Sequence, residues 1–195
     1  MRKSFREKLL RDTGIGGNRS TLCAGGVDLQ TLNSYRFKAE GVTNNNIRNG
    51  DKMLEVKFYD QVEDELLKFV VIAARMNEKW VFCKHKQRDT YELPGGHREP
   101  GEDILDTAHR ELKEETGAME YELTPVSVYS VRITEESSLQ EETFGLLCFA
   151  RIHSLGPLPA YEMECVELME QMPEECTYPL IQPRLLEKIK SFLAS

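Results

Sequence analysis

The chain has 195 residues, of which 40% are apolar and 30% charged, and its formal net charge is −8. This length can bury a substantial core, and the composition is typical of a globular protein rather than a disordered one. An acidic chain is a poor general binder of nucleic acid, since that function requires a basic surface. Because no apolar run is long enough to cross a bilayer and the first residues lack the apolar core of a secretory signal, we expect a cytoplasmic protein without membrane contact.

The charge is divided unevenly along the chain. Residues 1–52 carry 10 Lys and Arg against 5 Asp and Glu, whereas residues 53–195 carry 15 against 28. The first part also holds runs of glycine and asparagine that are typical of turns. We therefore predict a basic, weakly structured arm over residues 1–52 and a folded domain over residues 53–195. In the alternative interpretation, Met53 is the true start and the preceding residues are over-called upstream sequence.

The predicted domain alternates strand and helix patterns in chain order. Period-two alternation and β-branched apolar runs predict strands over residues 54–59, 66–74, 79–83, 126–133 and 143–152. Helical patterns predict one helix over residues 103–116, which Gly117 ends, and a second over residues 183–193. Strands with interleaved and appended helices favour a mixed α/β sandwich.

The first predicted helix carries three acidic residues on one face. Glu111, Glu114 and Glu115 stand at positions i, i+3 and i+4, so their carboxylates are expected to converge. Carboxylate oxygens are preferred ligands of hard divalent cations such as Mg²⁺. The opposing interpretation is a solvated helix face in which Arg110 pairs with Glu114.

Two neighbouring features complete this segment. The adjoining apolar strip, which is expected to pack the helix against the sheet, consists of Leu105, Ala108 and Leu112. Before the helix stands the Gly95–Gly96 turn, where backbone can approach other groups closely because no Cβ intervenes. A carbonyl oxygen there, for example that of Gly95, could complete the coordination of a cation.

The spacing of the surrounding residues decides between the two interpretations of the acidic face. The residues that stand at fixed intervals are Gly96, Glu102, Arg110, Glu111, Leu112, Glu114, Glu115 and Gly117. This pattern resembles the box of the Nudix hydrolases, and the preceding Leu93-Pro94-Gly95 is similar to the lead-in of that family. Only Ala118 departs from the pattern, since a larger aliphatic residue is usual there.

The resemblance implies a Nudix-type α/β/α sandwich with a mixed sheet and a loop–helix–loop catalytic motif. It also implies hydrolysis of a nucleoside diphosphate-linked substrate that depends on Mg²⁺, with Mn²⁺ as a substitute. The metal ligands carried over from the family are the Gly95 carbonyl and the carboxylates of Glu111, Glu114 and Glu115. Arg110 would orient a catalytic carboxylate and Glu102 would brace the loop–helix–loop.

The resemblance leaves the general base open between Glu111 and an acidic residue downstream of the box. Of the downstream candidates Glu141 and Glu142, we favour Glu142 because it stands at a predicted strand start. The basic residues Lys84, Lys86 and Arg88 lead into the Gly-Gly turn and are expected to bind substrate phosphates. The opposing interpretation of these three residues is an exposed strand edge.

Signatures expected of ADP-ribose, dinucleoside polyphosphate and coenzyme A hydrolases are not found. The chain thus resembles the MutT-like branch, also in its tail from Thr177 to Pro183, and we predict hydrolysis of a nucleoside triphosphate, oxidised forms included, with release of pyrophosphate or phosphate. One alternative is removal of pyrophosphate from the 5′ end of RNA. Another is a nucleotide-sensing module without turnover, which the complete set of box carboxylates disfavours. A nucleotide is the expected partner, and a homodimer is an open alternative to a monomer.

Overall fold

The structure, a computed structural model, describes residues 42–43, 46–49, 52–135, 138–139 and 142–195, with side chains for 54–133 and 142–195. These residues form one mixed sheet with a helix on each face. The strands are β1 (Val42–Thr43), β2 (Asn46–Asn49), β3 (Lys52–Tyr59), β4 (Leu67–Met76), β5 (Lys79–His85), β6 (Tyr91–Glu92), β7 (Gly95–His97), β8 (Ala118–Glu135), β9 (Ser138–Leu139), β10 (Thr143–Leu155) and β11 (Met163–Met169). The helices are α1 (Ile104–Thr116) and α2 (Gln182–Leu193), and a 3₁₀ turn spans Asp64–Leu66.

The sheet places β4 near its centre. The strand order is β1-β2-β3-β8-β10-β4-β5-β11, with β6 on β5, β7 on β4 and β9 on β8. β10 and β4 run parallel, and the other named pairs are antiparallel. On the side opposite β10, β4 pairs with β7 through Phe69–Val71 and with β5 through Ala74–Met76. The short strand that carries the Gly-Gly turn is therefore fixed to the middle of the sheet.

Two apolar layers cover the sheet, one on each face. Successive side chains of a strand point to opposite faces, and β4 is buried on both. Its residues Phe69, Val71 and Ala73 pack in the layer that includes α2, whereas Val70, Ile72 and Ala74 pack in the layer that includes α1. This arrangement confirms the predicted α/β/α sandwich.

Helix α1 begins and ends where the sequence predicts. The Asp103 side chain accepts a hydrogen bond from Leu105 N–H at 2.8 Å, which caps the first turn, and Gly117 adopts a left-handed conformation with φ 72°. The predicted apolar strip was wrong in one position. Ile104, with Ala108 and Leu112, faces the sheet, whereas Leu105 is 39% exposed because it lies about 100° further round the helix.

Several boundaries differ from the prediction. β8 begins at Ala118, eight residues before the predicted start, and β11 was not predicted at all. Strands β1 and β2 lie within the predicted arm and continue the sheet beyond β3. The remainder of residues 1–51, and Glu141, lie outside the described residues. In the part of the chain that is described, no helix is both long and apolar enough to span a bilayer.

The left-handed end of α1 gives a first testable prediction. Gly117→Ala should lower the free energy of unfolding by about 1–2 kcal/mol, because a Cβ is disfavoured at this φ. That Cβ would also lie 3.0 Å from the Pro157 carbonyl oxygen. Chemical denaturation measures the loss, with Gly101→Ala as the control, since Gly101 has φ 79° but open space around it. A larger loss in the Gly101 variant would contradict the contribution of the Pro157 contact.

Candidate active site

The Gly-Gly turn lies directly against the acidic face of α1. Gly95 and Gly96 pair with Val71 and Val70 of β4, and Gly95 N–H donates to a Glu115 carboxylate oxygen at 2.8 Å. A Cβ on Gly95 would overlap the Val70 carbonyl oxygen, and a Cβ on Gly96 would overlap the Glu111 carboxylate. Both glycines are therefore needed for the close approach of turn and helix.

Arg110 connects the carboxylates on either side of it. Its Nε and one Nη donate to the two Glu102 oxygens at 2.8 and 2.9 Å, and its other Nη donates to Glu111 at 2.7 Å. The Nη that binds Glu111 is also 3.5 Å from a Glu114 oxygen. The Nη that binds Glu102 also donates to the His97 carbonyl oxygen at 3.0 Å. The guanidinium is thus a shared counter-ion that also ties α1 to β7.

Glu102 is held at the start of the box by several donors. Besides Arg110, the Thr107 hydroxyl donates to it at 2.8 Å and Glu99 N–H at 3.0 Å. These hydrogen bonds, led by those of Arg110, lower the pKa of Glu102 to about 2. The geometry agrees with the bracing role implied for Glu102, which stays a prediction.

The lowered pKa of Glu102 predicts a pH-dependent contribution to stability. Between the unfolded value of 4.5 and the folded value of about 2, the unfolded chain binds a proton that the folded chain does not, so stability falls as the pH falls. The difference in unfolding free energy between wild type and Glu102→Gln should therefore be constant above about pH 5 and shrink towards pH 2. Urea titrations across this range measure it. A difference that grows on acidification would contradict the assignment.

Two of the three carboxylates that are expected to bind the metal are poorly solvated. Desolvation raises the pKa of Glu111, although the Arg110 charge opposes the shift. Desolvation, and to a smaller extent repulsion from Glu111, raises the pKa of Glu115 well above its ordinary value. The side chain of Glu114 is 38% exposed. A nearby cation would relieve the cost of burying these negative charges.

The residues fit a divalent cation in their donor chemistry. Carboxylates and a glycine carbonyl are hard oxygen ligands of the kind that Mg²⁺ prefers. They do not form a finished ligand group, since no three His, Cys, Asp or Glu side chains among the described residues lie close enough together to hold a metal ion. In the structure Arg110 holds Glu111 and lies near Glu114, whereas Glu115 accepts from Gly95 N–H. A cation would therefore compete with Arg110 for these oxygens.

The predicted basic cluster is paired within the protein. Lys84 lies 3.2 Å from Glu164 of β11, and Lys86 donates to a backbone carbonyl at 2.6 Å. Arg88 donates to both oxygens of Glu92 at 2.8 and 3.1 Å. Glu92 stands just before the lead-in to the Gly-Gly turn, so these hydrogen bonds link Arg88 to that segment rather than to the acidic face of α1.

Glu142 is held by donors from two strands of the sheet. The hydroxyls of Tyr59 and Ser130 donate to one oxygen at 2.7 and 2.6 Å, and the Arg132 guanidinium donates to the other. Desolvation raises the pKa of Glu142, but these hydrogen bonds and the Arg132 charge outweigh it and leave the pKa below its usual value. Neighbours of Ser130 in β8 pack towards α2, so Glu142 lies on the α1 face. Its hydrogen bonds connect it to β3 and β8 and not to the box carboxylates.

Residues 66–173, more than half of the chain, match the family model described as the NUDIX domain. The chain belongs to the Nudix family. Its sandwich fold and its box are those of a Nudix hydrolase, an enzyme acting on acid anhydrides, as the sequence predicts.

Three relatives of this Nudix hydrolase are informative. YtkD of Bacillus subtilis, named as a candidate 8-oxo-dGTP diphosphatase, is 33% identical over 122 residues, which cover 62% of this chain and 73% of YtkD. The 8-oxo-dGDP phosphatase NUDT18 of Mus musculus is 30% identical over 143 residues, covering 60% of this chain but only 43% of NUDT18. The crystal structure of the Bacillus subtilis pyrophosphohydrolase BsRppH superposes with a TM-score of 0.59 at 28% identity, covering 72% of this chain and 92% of that one.

One buried residue beside the site was missed from the sequence. Gln182 is the first residue of α2 and is 3% exposed, and its side chain accepts a hydrogen bond from Leu93 N–H at 2.9 Å. The available signal was the tail from Thr177 to Pro183, which is similar to bacterial members of the branch. That similarity did not indicate which part of the site the tail contacts.

Proposed function

We propose that this Nudix hydrolase cleaves nucleoside triphosphates, oxidised guanine nucleotides among them, and releases pyrophosphate or phosphate in a Mg²⁺-dependent reaction. The observation that carries the proposal is the complete network in which Arg110 joins Glu102 to Glu111 beside the Gly-Gly turn. The names of the two curated relatives, which refer to 8-oxo-dGTP and 8-oxo-dGDP, support the choice of nucleotide.

The residues of the site have different roles in the proposed reaction. Glu111, Glu114, Glu115 and the Gly95 carbonyl would hold the cation, which when bound neutralises phosphate charge and polarises water. Arg110 keeps Glu111 oriented through the 2.7 Å hydrogen bond. Glu111 is the proton acceptor that the contacts favour, because Arg110 holds it against the Gly-Gly turn whereas the donors of Glu142 connect it to β3 and β8.

Removal of pyrophosphate from the 5′ end of RNA is a second candidate, because it uses the same chemistry on a polymer. The structural similarity to the pyrophosphohydrolase BsRppH supports the release of pyrophosphate that this reaction requires. Against it stand the acidic excess of residues 53–195 and the internal pairing of Lys84 and Arg88, since a polyanion requires available basic groups.

A substrate panel tests both candidates. The purified protein is incubated with dGTP, 8-oxo-dGTP, 8-oxo-dGDP, ADP-ribose and 5′-triphosphorylated RNA, with Mg²⁺ or with EDTA, and the products are separated by chromatography. The proposal expects the highest kcat/KM on a nucleoside triphosphate and no turnover with EDTA. A preference for the RNA would favour the second candidate, and turnover in EDTA would contradict the dependence on a cation.

A further inference from the structure

The tail of the chain lies against the strand that leads into the Gly-Gly turn. Tyr91 N–H donates to the Glu175 carbonyl oxygen at 2.7 Å, and Thr177 N–H donates to the Tyr91 carbonyl oxygen at 2.8 Å. The hydroxyls of Thr90 and Thr177 are 2.7 Å apart. Residues 175–177 therefore pair with residues 90–91 through one parallel bridge.

The Leu93 amide, two residues after Tyr91, is bound by a side chain instead of a strand. Leu93 is 2% exposed, so its N–H requires a partner inside the protein. The Gln182 side-chain oxygen accepts this hydrogen bond at 2.9 Å, and Cys176 Sγ lies 3.6 Å from the same oxygen. Since Gln182 is itself buried, the hydrogen bond is shielded from competing water.

The same segment continues directly to an expected metal ligand. The Pro94 carbonyl oxygen accepts from Ile72 N–H of β4 at 2.8 Å, and Gly95 N–H donates to Glu115 at 2.8 Å. A short series of hydrogen bonds therefore runs from the start of α2 through Leu93 and Gly95 to the Glu115 carboxylate.

We propose that Gln182 is a positioning residue for the active site: by binding Leu93 N–H, it keeps the Gly95 amide on the Glu115 carboxylate. The catalytic consequence rests on the proposed function, because it assumes a role for Glu115 in the reaction. The geometric part, in which Gln182 holds the Gly95 amide in place, does not depend on the proposed function. The proposal also gives the tail from Thr177 to Pro183 a role that the box does not explain.

Gln182→Met tests the proposal, since methionine has a similar volume but lacks the acceptor oxygen. In the variant, Leu93 N–H loses its buried partner and the lead-in loosens. Hydrogen exchange of the Gly95 amide, measured on the protein alone, should become about tenfold faster. The kcat for the nucleotide substrate should fall about tenfold, with KM within about twofold of wild type.

Ile189→Val is the matched control. Ile189 lies on α2 and is fully buried in the same apolar layer, but it makes no side-chain hydrogen bond to the lead-in. We expect Gly95 exchange and kcat close to wild type in this variant. If Gln182→Met does not fold, Thr177→Val tests the same connection by removing the Thr90 contact, and its Gly95 exchange should rise by a smaller factor.

Equal Gly95 exchange in the test and control variants would overturn the proposal. Faster exchange with an unchanged kcat would overturn it as well, because Gln182 would then stabilise the fold without affecting the reaction. Failure of the proposed function would be distinct, since wild type would then hydrolyse none of the nucleotides. The exchange difference would still decide whether Gln182 holds the Gly95 amide.

Discussion

Glu114→Gln should lower kcat by about two to three orders of magnitude while leaving the fold intact. Glutamine has nearly the same shape but carries no charge, so it would weaken cation binding on the acidic face. The cost to stability should be small, because Glu114 is 38% exposed and its 3.5 Å ion pair with Arg110 is worth at most about 1 kcal/mol. Steady-state kinetics over a range of Mg²⁺ concentrations and chemical denaturation measure the two effects separately.

The control for this variant is Glu187→Gln on α2. Glu187 is an exposed helical glutamate whose 3.9 Å pairing is with Lys190, so the substitution removes the same charge away from the box. Wild-type kcat is expected there. If Glu114→Gln retained nearly full activity, the assignment of Glu114 as a metal ligand would be wrong.

Gly96→Ala should also remove most activity, by about a hundredfold or more. The added Cβ would overlap the Glu111 carboxylate, which Arg110 holds at 2.7 Å. Glu111 would have to leave this position or the turn would have to move away from α1. Either change separates Glu111 from the Gly-Gly turn, so kcat should fall even when the protein is fully folded.

Gly145→Ala separates this effect from a general loss of packing. Its Cβ would overlap the Phe69 ring, in the layer that contains α2. We therefore expect lower stability but near-normal kcat per folded molecule. Equal losses of kcat in both variants would show that close packing in general, and not the position of Glu111, explains the effect of Gly96→Ala.

Local signals account for the elements that the sequence predicted well. Helix α1 was located because both of its ends are set by nearby residues, Asp103 and Gly117. Strand β4 was located because it is apolar on both faces. Strand β11 was missed because only Met163 in it is fully buried and glutamates interrupt it, so its apolar pattern is weak. Its position follows from pairing with β5, which the local sequence does not indicate.

In the candidate site, too, the features set by local sequence could be predicted and the contacts set by strand pairing could not. The spacing of the box located the acidic face and the Gly-Gly turn, since both lie within one continuous segment. The partners of Glu142 and Lys84 could not be predicted, because Tyr59 and Glu164 lie far from them in sequence and come near only through the strand order. The same holds for Gln182, which is 89 positions from Leu93.

The parallel pairing of β4 with β10 has a consequence for synthesis of the chain. Leu146, Cys148 and Ala150 of β10 belong to the apolar layer that covers α1. A ribosome completes the box at residue 118, but this strand ends only at Leu155. Until then the layer on which α1 packs lacks one of its strands, and the apolar surface left uncovered favours aggregation. A message broken between these two points would therefore yield a product that carries the whole box on an incomplete core.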